Sequence, residues 1–357
     1  MTIPPQPDAP PPNAPQVFDV FLAGQMFFDI VFTGLDQPPR LGTEVWTRGM
    51  GSGPGGIANF AIALSRLGLR TSVAAAFGED VYGSYCWDVL ANQEAVDLSR
   101  SRRFAGWHSS VTVSLAYARD RALVTHGHMP PLTADELIGE PPRSRAVVTQ
   151  LGPDRQRWLE QARVRGTLVF ADAGWDEAAH SAEAILGQLP LCHAFMPNAE
   201  EAMAYTRAGT PQAALAKLAD LVPVAVITCG GDGVLAVDGV TGESASIRAL
   251  DVDVLDATGA GDVFGAGFVA ATLAGWPLAD RLRFANLGAA LSVQRFGGAL
   301  SAPGWAGLAR WWRAIRDDPA AAGLREEYGF LEDIIPVQAG TGAEAGSAPV
   351  TIGFVAR

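Results

Sequence analysis

The run Val17-Phe18-Asp19-Val20-Phe21-Leu22-Ala23 is apolar at nearly every position and stops at Gly24, which predicts a short buried strand. Residues 26–52 mix β-branched and aromatic side chains with Pro38-Pro39 and Gly42 and show no helical period. A peripheral strand pair is expected there. Ile57, Phe60, Ala61 and Leu64 then recur at i, i+3, i+4 and i+7, the spacing of one helix face, ending near Gly68. Thr71 to Phe77 returns as strand. Val111, Val113, Leu115 and Tyr117 alternate with Thr112, Ser114 and Ala116, Arg119-Asp120-Arg121 turns the chain, and Ala122 to Thr125 pairs back. These two ribbons, distant in sequence, are expected to join as one small sheet over a cleft.

From Ala146 the pattern becomes regular. Strands at 146–151, 167–171, 194–196 and 224–228 alternate with helices near 155–164, 178–188, 199–207 and 211–220. Such alternation predicts an α/β fold with a mostly parallel sheet flanked by helices. Cys229-Gly230-Gly231-Asp232-Gly233 turns into a strand at 234–237, and Asp238-Gly239 turns again into a strand spanning about 245–255. Helices are expected from Val263 to Leu273, stopped by Gly275-Trp276-Pro277, and from Arg281 to Phe296, stopped by Gly297-Gly298.

Chemistry concentrates where the strand to Leu255 meets the helix from Val263. Asp256-Ala257-Thr258-Gly259-Ala260-Gly261-Asp262 is a glycine turn that opens a helix. Backbone N–H groups there point to one spot that favours an anion. Asp262 sits beside that spot, where a base would stand to deprotonate a nucleophile attacking phosphorus. A tight structural turn would look the same in sequence.

Composition narrows the field. The 357 residues are 48% hydrophobic and 18% charged, enough for a large core, and a net charge of -12 argues against nucleic acid or an anionic membrane as partner. Lys217 is the only lysine, which excludes a Walker-type phosphate loop. Cys86, Cys192 and Cys229 have no paired spacing for a disulfide framework or a zinc site. With no signal segment or membrane-length apolar run, a cytoplasmic location is expected. Residues 1–16 are proline-rich and expected to be disordered, and the Gly/Ala/Thr-rich end of residues 317–357 partly so. His126-Gly127-His128 reads as a solvated strand end, Trp311-Trp312 as core anchors. Asp172 to Asp176 follows a parallel strand and suits either a cleft or packing.

Several motifs stand in one order: Gly24 to Asp29, Pro54-Gly55-Gly56-Ile57-Ala58-Asn59, Asn198-Ala199-Glu200-Glu201, Thr228 to Gly233, and Asp256 to Asp262. Over about residues 17–310 the set resembles the PfkB (ribokinase-like) family of carbohydrate kinases. The resemblance implies a three-layer α/β/α core of nine or so strands in one domain over 17–316. It also implies a β-sheet lid from about 26–52 and 104–127, and transfer of the ATP γ-phosphate to a sugar-like hydroxyl.

By the same resemblance Asp262 is the general base, and Gly259, Ala260 and Gly261 form the anion hole. Asp29, Gly55, Gly56 and Asn59 contact the sugar. Asn198, Thr228, Gly230, Gly233 and Asn286 lie on the nucleotide side. Glu201 orders Mg²⁺ through water, and Asp256 and Thr258 border a monovalent-cation (K⁺) site. Phe27 stands where ribokinase has Asn, Ile57 lies near its lysine, and Gly152 lies near its acidic residue, departures that weigh against ribose itself. Phe27 and Phe28 keep a nucleoside acceptor open, and a non-catalytic sugar-binding relative is a third reading. A homodimer paired through the lid edges is a further expectation.

Overall fold

The structure is a computed structural model that describes residues 17–117, 120–173 and 181–337. The disorder expected of 1–16 and of the last twenty residues, and the stretch Gly174-Trp175-Asp176, lie outside the described residues.

Among the described residues eight strands form the main sheet, in keeping with the nine or so expected, in the order β14-β13-β12-β11-β10-β9-β1-β4. They are β1 (Val17–Ala23), β4 (Thr71–Ala74), β9 (Arg143–Leu151), β10 (Leu168–Ala173), β11 (Ala194–Phe195), β12 (Val224–Thr228), β13 (Val234–Asp238) and β14 (Glu243–Ile247). All neighbours from β12 to β4 are parallel, and β13 and β14 add on as an antiparallel meander. Successive residues of the parallel strands feed two different cores. Val20, Leu22, Ala146, Val148, Val224 and Val226 face one. Phe21, Ala23, Val147, Leu151, Ala225 and Ile227 face the other. That is why these strands read as unbroken apolar runs.

The first core is closed by α1 (Ile57–Arg66), α2 (Val81–Asp88) and two later helices. The second is closed by α3 (Ala134–Ile138), α4 (Arg157–Val164), α5 (Ala182–Leu186), α6 (Ala199–Thr206) and α7 (Pro211–Ala219). The two later helices are α8 (Ala260–Leu273) and α9 (Leu278–Ser292), the latter starting and ending earlier than its pattern suggested. The result is a three-layer α/β/α fold. Outside it, α10 (Trp305–Asp317), α11 (Ala322–Tyr328) and α12 (Leu331–Ile334) bury Trp312, Tyr328 and Leu331 against Phe284 and Leu287.

A second sheet, β3-β2-β7-β8, joins the two ribbons: β2 (Met26–Thr33), β3 (Gly49–Gly56), β7 (Ser110–Tyr117) and β8 (Asp120–His126). The strand pair expected within 26–52 runs further, because the glycine-rich β3 pairs with β2 residue by residue from Met26↔Gly56 to Thr33↔Gly49. Glycine is a poor strand former, and here it marks close approach. A Cβ on Gly53 would lie 2.9 Å from Leu300 Cδ1, and one on Gly49 2.7 Å from the Phe296 ring. The bare strand lets the 296–300 segment lie flat upon the lid.

Two other strands differ from expectation. Thr71 to Phe77 divides, Thr71–Ala74 staying in the main sheet while β5 (Ala76–Gly78) pairs with β6 (Arg102–Phe104). The strand expected to reach Leu255 stops at Ile247. Beyond it the Leu255 and Asp256 N–H groups bond the Val293 carbonyl, at 2.8 and 3.1 Å, so the end of α9 takes the place of a sheet partner.

Trp158 is fully buried and meets Phe21 edge-to-face at 5.8 Å in the second core. Trp158→Ala is expected to lower unfolding free energy by about 3–5 kcal/mol, read from urea denaturation. A loss under about 1 kcal/mol would mean that the pocket collapses around the change.

Candidate active site

The carboxyl ends of β9 to β12, the head of α8 and the inner face of the lid meet in one place. Gly259 caps α8 in the left-handed conformation (φ 75°), which glycine adopts without strain. Asp262 follows in the first turn. The Ala260 N–H makes a long bond of 3.3 Å to the Ala257 carbonyl, whereas the Gly261 N–H has no acceptor among the described residues. A Cβ added at Gly261 would meet nothing within 4 Å. The head of the helix therefore presents open backbone beside a carboxylate.

Asn59, in the first turn of α1, donates from Nδ2 to Asp262 Oδ2 at 2.7 Å. Its own Oδ1 is buried and has no partner among the described residues. The Asn59 side chain thus fixes the Asp262 carboxyl and leaves one acceptor facing Gly259 and Gly298. Burial pushes the Asp262 carboxyl up to about 6, with Asn59 and Arg121 pulling it down and Glu201 pushing it further.

Asp29 on β2 belongs to the same group. Burial pushes it up to about 7, helped by the charges of Asp262 and Asp256 and opposed by Arg121. Gly55 makes room for it: a Cβ there would fall 1.9 Å from Asp29 Oδ2. Gly56 (φ 62°) stands under the Phe27 ring, which would lie 2.6 Å from an added Cβ. Phe28 points the other way, buried against Tyr82 at 5.0 Å and Tyr85 at 5.6 Å. Only Phe27 of the two shares the Asp29 face, because successive strand residues alternate.

On the other side of α8, Asn198 and Glu201 cap α6 reciprocally, Glu201 N–H to Asn198 Oδ1 and Asn198 N–H to Glu201 Oε2, both at 3.0 Å. Asn198 bridges to Thr228 at the end of β12. After Thr228 the chain makes a short turn in which Gly230 (φ 55°) and Gly231 border open space. Gly233 (φ 98°) is confined: a Cβ would lie 2.1 Å from the Ile247 carbonyl oxygen. Asn286 is not brought to this group by its amide, which donates to the Arg248 carbonyl at 3.2 Å and ties α9 to the loop after β14.

Asp256 stitches the Gly259–Asp262 turn to the following loop, accepting the Thr258 N–H at 2.9 Å and the Gly297 N–H at 3.3 Å. Thr258 Oγ1 lies 3.3 Å from Ser114 Oγ on β7, so the lid touches the turn directly.

Two residues gain a place that sequence alone left open. Asp172, at the end of β10, is pushed well up by burial and by the charges of Glu201 and Asp262, so it faces the cleft. Burial likewise raises Glu201. Among the described residues no three His, Cys, Asp or Glu side chains converge closely enough to ligate a metal ion by themselves. By local pattern Arg121 belongs to a hairpin turn. Pairing Ala116↔Arg121, Thr112↔Thr125 and Asp29↔Thr112 puts it on the same lid face as Asp29. Strand register reveals this and local pattern does not.

The chain is 24% identical over 306 residues to the ATP-dependent 6-phosphofructokinase of Thermoanaerobacterium thermosaccharolyticum, covering 78% of this chain and 88% of that one. It is 27% identical over 294 residues to the ribokinase of Bacillus subtilis, covering 78% and 94%. The structure of an Arabidopsis thaliana ribokinase complexed with ribose and ATP superposes with a TM-score of 0.67 at 22% identity, covering 83% of this chain and 98% of that one. Residues 41–305 match the pfkB family carbohydrate kinase profile, and the chain belongs to that family.

Proposed function

We propose that the protein transfers the γ-phosphate of ATP to a hydroxyl of a sugar or sugar-like acceptor. The observation that carries this reading is the head of α8, where a carboxyl pushed up to about 6 and oriented by Asn59 stands beside the open Gly261 N–H. The acceptor oxygen attacks the γ-phosphorus as its proton passes to Asp262, and the bond from that phosphorus to the ADP oxygen breaks. Charge building on the transferring oxygens is met by the N–H groups of the Gly259–Gly261 turn. Asp29 over Gly55, with the unpaired Asn59 Oδ1, supplies acceptors for neighbouring hydroxyls, which suits a polyol.

Thr228, Gly230 and the open Gly231 surface suit the nucleotide, with Asn198 alongside. An ATP-bound Mg²⁺ would neutralise phosphate charge, held through water by Glu201 with Asp172, two carboxyls whose protonation is favoured until a cation arrives. A monovalent cation beside Asp256 and Thr258 belongs to the same proposal, since Asp256 already joins the two loops it would bridge. A nucleoside acceptor is the second reading. Phe27 on the Asp29 face supports it, and Phe28, being core, does not.

Asp262→Asn is expected to abolish phosphoryl transfer while ATP still binds, as measured by calorimetry and by ADP release across a panel of sugars, sugar acids and nucleosides. Full turnover in that variant would sink the mechanism. Gly55→Ala displaces Asp29, and the expected result is an acceptor KM raised about tenfold or more with the ATP KM nearly unchanged. Equal losses for both substrates would count against an acceptor role. For pH, burial keeps Asp262 and Asp29 protonated above the usual carboxylate range, so the ionised base appears only as pH rises through about 6 to 7. Below that limb kcat/KM should fall by about tenfold per pH unit. Arg121 holds both carboxyls down, so Arg121→Gln should move the limb to higher pH. An unmoved or lowered limb contradicts the assignment.

A further inference from the structure

At the opposite end of the main sheet lies a cavity of about 890 Å³. It opens between the amino-terminal parts of β1 and β9 and the approach to β10, with Phe18, Ser144 and Thr167 in its wall. From Ser144 to Gln150, the neighbour of Asp172, β9 spans about 20 Å, so the cavity is remote from the catalytic end. Parallel α/β sheets bind ligands at the carboxyl ends of their strands, and this hollow lies at the other end.

Among the described residues its wall carries Arg100, Arg143, Arg145 and Arg165 against one carboxylate, Glu140. Such a concentration stands out in a chain with net charge -12. The carboxylate is already engaged: Arg165 pairs with Glu140 and also donates to the Pro141 carbonyl at 2.9 Å. Arg145 is held by Asp19 at 3.2 Å and by the Leu273 carbonyl at 2.7 Å. The guanidinium groups of Arg100 and Arg143 have no hydrogen-bond or ion-pair partner among the described residues. Between Arg143 and Arg145, the Ser144 hydroxyl is buried with no partner among those residues either.

Guanidinium groups of one sign around a concave wall repel one another and focus a positive field, which raises the local concentration of anions. Their planar forks match phosphate and carboxylate oxygens in pairs. The volume is that of a small-molecule site, and the surrounding negative charge of the chain disfavours a nucleic acid. We propose that this cavity binds a small polyanion, a molecule carrying two or more phosphate or carboxylate groups, with Arg100 and Arg143 as its principal contacts. Arg145, in the same wall, holds the last residue of the helix whose first turn carries Asp262. The ligand would therefore sit against the far end of the catalytic helix.

The test is titration calorimetry on the full chain with its nucleotide site saturated by a non-hydrolysable ATP analogue. The probes are inorganic pyrophosphate and citrate, used separately so that phosphate and carboxylate ligands are told apart. Saturable binding of either probe is expected, weakened about tenfold or more, or about 1.4 kcal/mol, in the Arg100→Gln/Arg143→Gln variant. Both arginines are exposed, so this variant should keep its fold and its basal turnover. Asp262→Asn should bind the probe as the parent does. The proposal is overturned if neither probe binds at millimolar concentration, if the double variant binds equally well, or if Asp262→Asn loses the binding.

Discussion

The close packing of α1 on α8 is the constraint from which the site follows. Gly265 lies where a Cβ would fall 2.4 Å from the Phe60 ring, so the two helices approach at a distance that no larger residue permits. Only that approach allows Asn59, one residue before Phe60, to reach Asp262 at 2.7 Å. Each helix also begins at its own glycine, Gly56 and Gly259, both with positive φ. Two helix heads are thus pinned side by side, and the carboxyl between them is aimed by packing.

The arrangement carries an electrostatic cost. Burial pushes Asp29, Asp172, Glu201 and Asp262 all towards their neutral forms, and the charges of acidic neighbours, Glu200 in the case of Glu201, add to it. Such a site is poised to receive cations and to release protons, the two events phosphoryl transfer requires. Arg121 is the lid's share of the compensation, which makes the lid part of the electrostatics as well as a cover.

The lid stays close because β3 offers almost no side chains on its inner face. The 296–300 segment packs on that bare strand, and Asp256 binds the same segment to the Gly259–Asp262 turn through Gly297. Arg66, paired at 2.7 Å with the buried Glu94, holds the segment from below by donating to the Leu300 and Ala302 carbonyls at 2.9 and 2.7 Å. Lid, turn and helix heads form one continuous support.

Much of this was legible in sequence. Apolar runs separated by helical periods fixed an α/β sheet with both faces covered, since buried parallel strands need side chains apolar on both sides. The Asp256–Asp262 turn announced an open helix head with an acid beside it, because glycine spacing and helix polarity are local properties. The glycine strand β3 was not legible for a physical reason: local propensity favours a turn there, and only the packing of Leu300 and Phe296 explains a strand. The same limit applied to Arg121, Asp172 and Asn286. Whether Arg121 faces Asp29, whether Asp172 faces the cleft, and whether the Asn286 amide is free depend on register and on neighbours far away in the chain. Residue types and spacing determined which chemistry was present, and tertiary packing decided which groups meet.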